Sequence, residues 1–400
     1  MNPVLICLAA ATLSFGFVGC STRVRELVVA EYDAAADGGN ACGRILRALE
    51  YVPVAGADMT DIIQDVKVVE MKTSLALGDI RNKLLLGAEG ELFVKTESNV
   101  FCFSADGLLL RSFGRMGQGE DEYVALQDIA LDLESGMLLV LDGMNRVLFF
   151  DAATGAFVRT VTLDWRGEAL RSDAIFPNEK SGGFYIFSAK LMKREIELSR
   201  YCIHEFDSDG VRVAQGLACN DFVLDTAPVT QGYDNRYIVN PVGNEHTVWV
   251  SERGTIEAAY GIDFGSRGLA SKTRFCEGEE LDIYALIMSD AYKMVMNVRE
   301  TRDIVSFLVC GPEARSYEYV YSKADGSGIC LTAPDGYAFP VRFVAADETY
   351  LYTIYDRRTM EGLDERACPV SRYLAERFGV IPEGGNPLLV GIRFDLSAVQ

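Results

Sequence analysis

The chain has 400 residues, 49% of them hydrophobic and 24% charged, so it can fill a core and is not disordered. Its 58 acidic and 38 basic side chains give a formal charge of −20. Such a surface repels phosphate backbones, which argues against nucleic acid as a partner, and it repels anionic lipid unless something else holds the chain at a membrane.

Residues 1–20 differ from the rest because they contain no Asp, Glu, Lys or Arg. The apolar run 4–18 is shorter than the roughly 20 residues of a transmembrane helix and fits the hydrophobic region of a signal peptide. It ends in Phe17-Val18-Gly19-Cys20, which is similar to a bacterial lipobox, although Phe17 stands where Leu is usual and the leader lacks a basic residue. We predict a signal peptide over 1–20 and a lipid on Cys20. An ordinary cleaved signal or a membrane anchor is the alternative.

After the leader, residues 21–61 are mixed in character and are expected to form an N-terminal tether and lead-in, with 33–40 as a small, acidic, Gly-rich loop. From residue 62 onward, short strands rich in Val, Ile, Leu, Phe and Tyr alternate with Asp/Gly turns. The first clear unit is a meander of four predicted strands at 83–86, 92–95, 100–104 and 108–113.

The same unit returns along the chain. Further copies cover 129–163, 183–215, 237–264, 292–332 and 341–396. Four-stranded repeats of about 40–50 residues are typical of a β-propeller, whose blades must pack in a ring. We therefore predict an all-β fold over 62–400: a six-bladed β-propeller with four-stranded antiparallel blades and minor helical insertions. A β-sandwich followed by a second domain is the competing architecture.

A closed ring needs its ends joined. The last predicted strand, 388–396, has no later partner, so we expect it to pair with 65–72 in one blade and so remove free sheet edges. Two helices are predicted, one at 278–289 that caps a face of the ring and one at 371–378 inside the polar insertion 357–386.

Four segments in this order resemble the six-bladed β-propeller lipoproteins of Gram-negative bacteria, which are related in architecture to NHL-repeat propellers. They are the end of the leader at Cys20, the Gly-rich stretch 113–123, the charged stretch 299–303 and the terminal stretch 386–390. In 113–123, Glu120-Asp121 replaces the Pro-Gly of the family's link between blades. The resemblance implies an outer-membrane lipoprotein of the cell envelope, facing the periplasm or the surface.

Ligand-facing residues are expected where loops lie on a rigid scaffold. The candidates are Arg115, Gln118, Glu120, Asp121, Tyr123 and Trp249. Alternatively, the glycines of 113–123 only allow a tight crossing between blades, with Tyr123 packing beneath. Trp249 shares its repeat with Tyr233, Tyr237 and Tyr260, which form either a sugar-stacking platform or blade core.

Cysteine usage leaves the redox state open. Besides Cys7 and Cys20 there are eight cysteines, with no CxxC pair and irregular spacing: Cys42, Cys102, Cys202, Cys219, Cys276, Cys310, Cys330 and Cys368. Disulfides are permitted in an oxidising compartment, and buried thiols fit the cysteines inside apolar strands.

No catalytic, cofactor or metal residue is assigned. The two histidines, His204 and His246, lie in different repeats, and no Gly-x-Ser-x-Gly elbow is present. Aspartates at strand ends and turns are interpreted as hairpin chemistry: Asp142, Asp151, Asp207 and Asp209. The chain is therefore predicted to be a binding module for a glycan, a peptide or an envelope protein. The alternatives are a propeller hydrolase or lyase that uses channel carboxylates, with calcium as a candidate cofactor, and a structural component of an outer-membrane assembly.

Overall fold

The computed structural model describes residues 24–27, 44–48, 52–53, 59–75, 77, 80, 83–168, 170–188, 201–218, 227–240, 247–268, 288–312, 315–331, 342–356, 369–379 and 385–398. Cys20 and the rest of the predicted leader, the predicted loop at 33–40, and all but the end of the predicted helix at 278–289 lie outside these residues.

Six sheets make up the structure. Three short strands come first: β1 Arg25–Glu26, β2 Arg44–Arg47 and β3 Val52–Pro53. Helix α1, Met59–Ile62, then leads into β4, Ile63–Glu70. Blade 1 holds β5 Lys83–Leu86, β6 Leu92–Lys95, β7 Val100–Phe103 and β8 Leu109–Ser112. Blade 2 holds β9 Leu126–Asp132, β10 Met137–Asp142, β11 Arg146–Asp151 and β12 Phe157–Thr162.

Blade 3 holds β13 Ala174–Asn178, β14 Gly183–Phe187, β15 Tyr201–Phe206 and β16 Arg212–Ala218. Blade 4 holds β17 Val229–Gln231, β18 Tyr237–Val239, β19 Thr247–Glu252 and β20 Thr255–Asp263. Blade 5 holds β21 Lys293–Glu300, β22 Ile304–Cys310, β23 Ser316–Ser322 and β24 Gly328–Cys330. Blade 6 holds β25 Phe343–Ala346, β26 Leu351–Tyr355, β27 Leu388–Phe394 and β4. Helix α2, Pro369–Phe378, confirms the helix predicted at 371–378, and two 3-10 turns lie at Gly265–Arg267 and Leu396–Ala398.

The innermost strands β5, β9, β13, β17, β21 and β25 contact one another in sequence, and β25 returns to β5. The ring is closed by β4, which pairs antiparallel with β27 from Glu70 opposite Leu388 to Ile63 opposite Phe394. Both the six-bladed propeller and the predicted closure by the two chain ends are confirmed.

Parts of the predicted tether and lead-in form strands. Strands β1, β2 and β3 pair in parallel with β16, β20 and β24, the outermost strands of blades 3, 4 and 5. The chain thus passes along the rim of three successive blades before it enters blade 6. Residues 25–26, 44–47 and 52–53 of the predicted tether and lead-in are thus rim strands, and pairing with an exposed sheet edge satisfies their backbone groups.

The two faces of the ring carry different connections. In a four-stranded meander, the first-to-second and third-to-fourth connections lie on one face, which we call the turn face. Each of these connections spans five residues or fewer, from 87–91 in blade 1 to 347–350 in blade 6. The opposite face, which we call the loop face, carries connections as long as 264–292 and 356–387.

Both sides of each sheet are buried, because every blade lies between two others. Strands β7 and β14 are buried at every position, with no polar side facing water. Aromatic rings join neighbouring blades, as where Phe149 of blade 2 lies 6.1 Å from Phe184 of blade 3. Single blades therefore depend on their neighbours for stability.

Turn glycines set the distance between blades. Gly107, in the last turn of blade 1, has φ +80°, and a Cβ there would lie 2.0 Å from the backbone carbonyl oxygen of Glu70 in blade 6. Gly210 of blade 3 has φ +83° and the same relation to Thr162 of blade 2, at 2.5 Å. These positions need both a left-handed backbone and the absence of a side chain.

We expect Gly107→Ala to lower the free energy of unfolding by about 2–4 kcal/mol, because the left-handed backbone penalty adds to overpacking. The matched control is Gly136→Ala, where φ is +69° but no atom lies within 4 Å of the added Cβ. The control should lose only about 1 kcal/mol. Urea unfolding followed by circular dichroism measures both, and equal losses would show that the blade contact is unimportant.

Candidate functional site

The Gly-rich loop between β8 and β9 lies on the loop face and is folded around Glu122. The Arg115 Nε donates to Glu122 Oε1 at 2.6 Å, and the Gly119 amide donates to Oε2 at 2.8 Å. The Gly119 amide and the Arg115 guanidinium hold the pKa of Glu122 below its usual value. This carboxylate therefore shapes the loop.

Tyr123 is fully buried, and its hydroxyl donates to the backbone carbonyl of Ser98 in blade 1 at 3.2 Å. Burial raises its pKa to about 12. The prediction that Tyr123 faces a ligand is corrected, because the ring packs beneath the loop as in the alternative interpretation.

The other candidates of this loop, Arg115, Gln118, Glu120 and Asp121, are all exposed. The Glu120 backbone carbonyl accepts a hydrogen bond from the Thr160 hydroxyl at 2.9 Å, which fixes the loop to blade 2. Their contact with a ligand remains a prediction.

Three exposed apolar side chains lie beside these polar ones, and we call them the methionine patch: Met116, Val124 and Met144, with 48%, 38% and 60% exposure. The amides of Val124 and Met144 donate to the same carboxylate, that of Asp142, at 3.3 and 3.4 Å. Met116 forms a β-bridge with Tyr123, next to Val124. The three residues therefore lie close together in the fold. The patch was not predicted from the sequence, although large apolar residues in polar, Gly-containing loops could have indicated it.

Trp249 is half-buried and packs against the core between blades 2, 3 and 4. Tyr237 is buried and donates to the Leu131 carbonyl at 2.8 Å, and Tyr260 is buried and donates to Glu300. Tyr233 belongs to the turn face, in the connection 232–236. These positions support the core interpretation of Tyr237 and Tyr260.

The innermost strands of all six blades surround a cavity of about 110 Å³, which we call the channel pocket. Its charged lining residues are Lys83, Lys95, Asp128, Asp173 and Arg299. Lys83 Nζ lies 2.7 Å from Asp128 Oδ2, and both side chains are nearly inaccessible. Burial lowers the pKa of Lys83 and of Lys95, and Asp128 opposes both shifts.

Gln231 closes this cavity toward the turn face. Its side-chain amide accepts from the Leu86 backbone N–H at 2.7 Å and donates to the Leu86 carbonyl at 3.0 Å, from blade 4 to blade 1. Lys83, Asp173 and the start of β17 lie at the loop-face ends of their strands. The cavity therefore extends to the loop-face end of the channel, while Arg299 and Gln231 line it from the turn-face ends of β21 and β17.

The charged stretch 299–303 has a structural explanation. Arg299 lines the channel pocket, while Glu300 is fully buried between blades 4 and 5, where Lys323 Nζ lies at 2.9 Å and Arg236 Nη1 at 3.4 Å. The Thr301 hydroxyl accepts from the Ile304 amide at 3.0 Å. Burial lowers the pKa of Lys323, and Glu300 opposes that shift.

We expect Glu300→Gln to lower the free energy of unfolding by about 3–5 kcal/mol, because it removes the buried carboxylate that Lys323 and Arg236 share. The substitution leaves Arg236 with only the partly exposed Glu252, at 3.3 Å. Glu348→Gln, which breaks the exposed pair with Arg302, should cost about 0.5 kcal/mol or less. Chemical denaturation compares the two variants. A similar small cost in both would mean that the buried cluster does not hold blades 4 and 5 together.

The turn aspartates have structural roles. Asp142, Asp151 and Asp207 accept backbone N–H groups of their own turns, which confirms hairpin chemistry for these three. Burial lowers the pKa of His204 to about 3, and His246 is outside the described residues.

Cys102, Cys202, Cys310 and Cys330 are buried thiols, and the described part of the chain has no group of three His, Cys, Asp or Glu that could hold a metal. Nor does it include a helix long and apolar enough to cross a membrane.

Six sheets arranged around a central channel define a six-bladed β-propeller. The chain belongs to the DUF5128 family, described as 6-bladed β-propeller, whose model matches residues 51–335. Whether its blades are NHL repeats remains a prediction.

Two solved structures are similar to this chain, and the first of them shares its fold. A protein of Bacteroides fragilis NCTC 9343, described as exported, is 15% identical with a TM-score of 0.67, over 88% of this chain and 99% of that one. A member of the DUF4221 family from Bacteroides vulgatus is 12% identical with a TM-score of 0.45, over 83% of this chain and 97% of that one. No curated protein matches the chain significantly.

Proposed function

We propose that the protein is a lipid-anchored binding module of the cell envelope that takes a peptide or protein ligand on its loop face. The observation that carries this proposal is the methionine patch on the face that also bears the long connections. Contiguous exposed apolar groups rimmed by polar ones are typical of protein contact sites, and methionine adapts to varied partners.

The charges around the patch determine which ligand charge is favoured. Glu120 and Asp121 are exposed beside it, and the whole chain has a charge of −20. Because complementary charge steers association, the ligand should present basic side chains next to apolar ones. An extracytoplasmic location is supported by the apolar leader and by the likeness to the exported Bacteroides fragilis protein.

Peptide and glycan arrays probed with residues 21–400 test this function. We expect peptides rich in Lys, Arg and apolar residues to bind, and Met144→Glu to weaken binding by about tenfold or more, since it places a charge inside a hot-spot contact. The matched control Ala324→Glu adds the same charge to an exposed turn-face position and should bind like wild type. Binding to glycans alone, or equal binding by both variants, would contradict a peptide or protein ligand.

The rim strand β1 determines how an anchor at Cys20 would orient the ring. Strand β16 runs from the turn face to the loop face, and β1 runs parallel to it. Arg25, which pairs with Ala214 near the start of β16, therefore lies close to the turn face. It shares a cavity with Lys180 and Gly254, both in turn-face connections. Five residue steps from Cys20 to Arg25 span at most about 18 Å of extended chain. A lipid on Cys20 therefore keeps the turn face of blade 3 near the bilayer and the loop face away from it.

Two measurements on the full chain test the anchor and its orientation. A clickable palmitate analogue should label the wild type and not Cys20→Ala. In liposomes, a dye at Lys180 should transfer energy to headgroup acceptors about twofold or more better than a dye at Gln118, because an inner strand of eight residues alone spans about 26 Å. Absent labelling would refute the anchor, whereas labelling with equal transfer would refute only the orientation.

A further inference from the structure

The channel pocket is basic in an acidic protein. Its described lining carries three basic groups, on Lys83, Lys95 and Arg299. Of its two carboxylates, Asp128 pairs with Lys83, and Asp173 pairs with Arg171, which lies outside the lining. The described lining therefore has more positive than negative charge.

Lys95 is the lining lysine for which the described residues provide no hydrogen-bond acceptor. It is partly buried at the end of β6. Burial lowers its pKa; Lys83 acts in the same direction, whereas Asp128 and Glu97 oppose the shift. Because Asp128 is already bonded to Lys83, a bound anion beside Lys95 would stabilise the pocket.

We infer that the channel pocket binds a carboxylate group, with Lys95 as its main partner. A volume of about 110 Å³ fits a group the size of acetate, since a cavity of about 150 Å³ holds benzene. The carboxylate comes either from a free small acid or from a ligand bound on the loop face. Only the second source rests on the proposed function.

Calorimetric titration of residues 21–400 with sodium acetate, against sodium chloride of equal ionic strength, tests the site. We expect a saturable signal with a dissociation constant on the order of 1 mM, which is within the efficiency limit for four heavy atoms. Lys95→Met should weaken acetate binding by about tenfold or more, because it removes a charge-assisted donor. Lys180→Met, at an exposed turn-face lysine, is the matched control and should bind like wild type.

Lys95→Arg keeps the charge and should retain part of the affinity, and circular dichroism of each variant verifies folding. Acetate heats no larger than those of chloride, or equal affinity in a folded Lys95→Met, would overturn the inference. The Met144→Glu variant separates the two proposals: it should bind acetate normally even where array binding is lost. If the wild-type chain binds array peptides but not acetate, the carboxylate site is refuted and the proposed function is not.

Discussion

The pairing of β4 with β27 is the interaction on which the rest of the structure depends. Each blade buries both of its sides against its neighbours, so an open arc would expose one side of its first and last blades. The pairing supplies the outermost strand of blade 6 from the other end of the chain. Helix α1, just before β4, contacts both α2 and the 3-10 turn at Leu396–Ala398. Joining segments more than 300 residues apart is tolerable, because the entropy of closure grows only logarithmically with loop length.

Closure through an N-terminal strand also determines where the preceding chain can go. Since β4 lies on the outer edge of blade 6, residues before it must approach along the rim, and the edges of β24, β20 and β16 lie on that path. Strands β3, β2 and β1 pair with these edges in turn. Among the described residues, the first of these contacts is at blade 3, where Arg25 pairs with Ala214.

The sequence predicted the ring and most of its blades, because their strands are bounded by Asp/Gly turns and alternate regularly. It missed β13, which contains Pro177, and β17, which has only three residues. Pro177 is tolerated because an innermost strand has a neighbour on one side only within its sheet. The rim strands were missed because two to four residues carry no periodicity and pair only through tertiary context. At the site, residue type placed Arg115 and Gln118 on an exposed loop, but whether Tyr123 pointed in or out depended on blade packing.

Charge in the channel illustrates a limit of composition-based reasoning. A chain with a charge of −20 predicts an acidic surface, yet blades 1 and 5 bring Lys83, Lys95 and Arg299 to one cavity. Lys83 and Lys95 lie opposite each other in the β5–β6 hairpin, whereas Arg299 comes from a distant repeat and joins them only through closure of the ring. Exposed acids beside the methionine patch and basic groups in the channel give the loop-face side of the molecule two zones of opposite charge. A ligand with a basic, apolar surface and one carboxylate would satisfy both zones, whereas a uniformly charged ligand would satisfy only one.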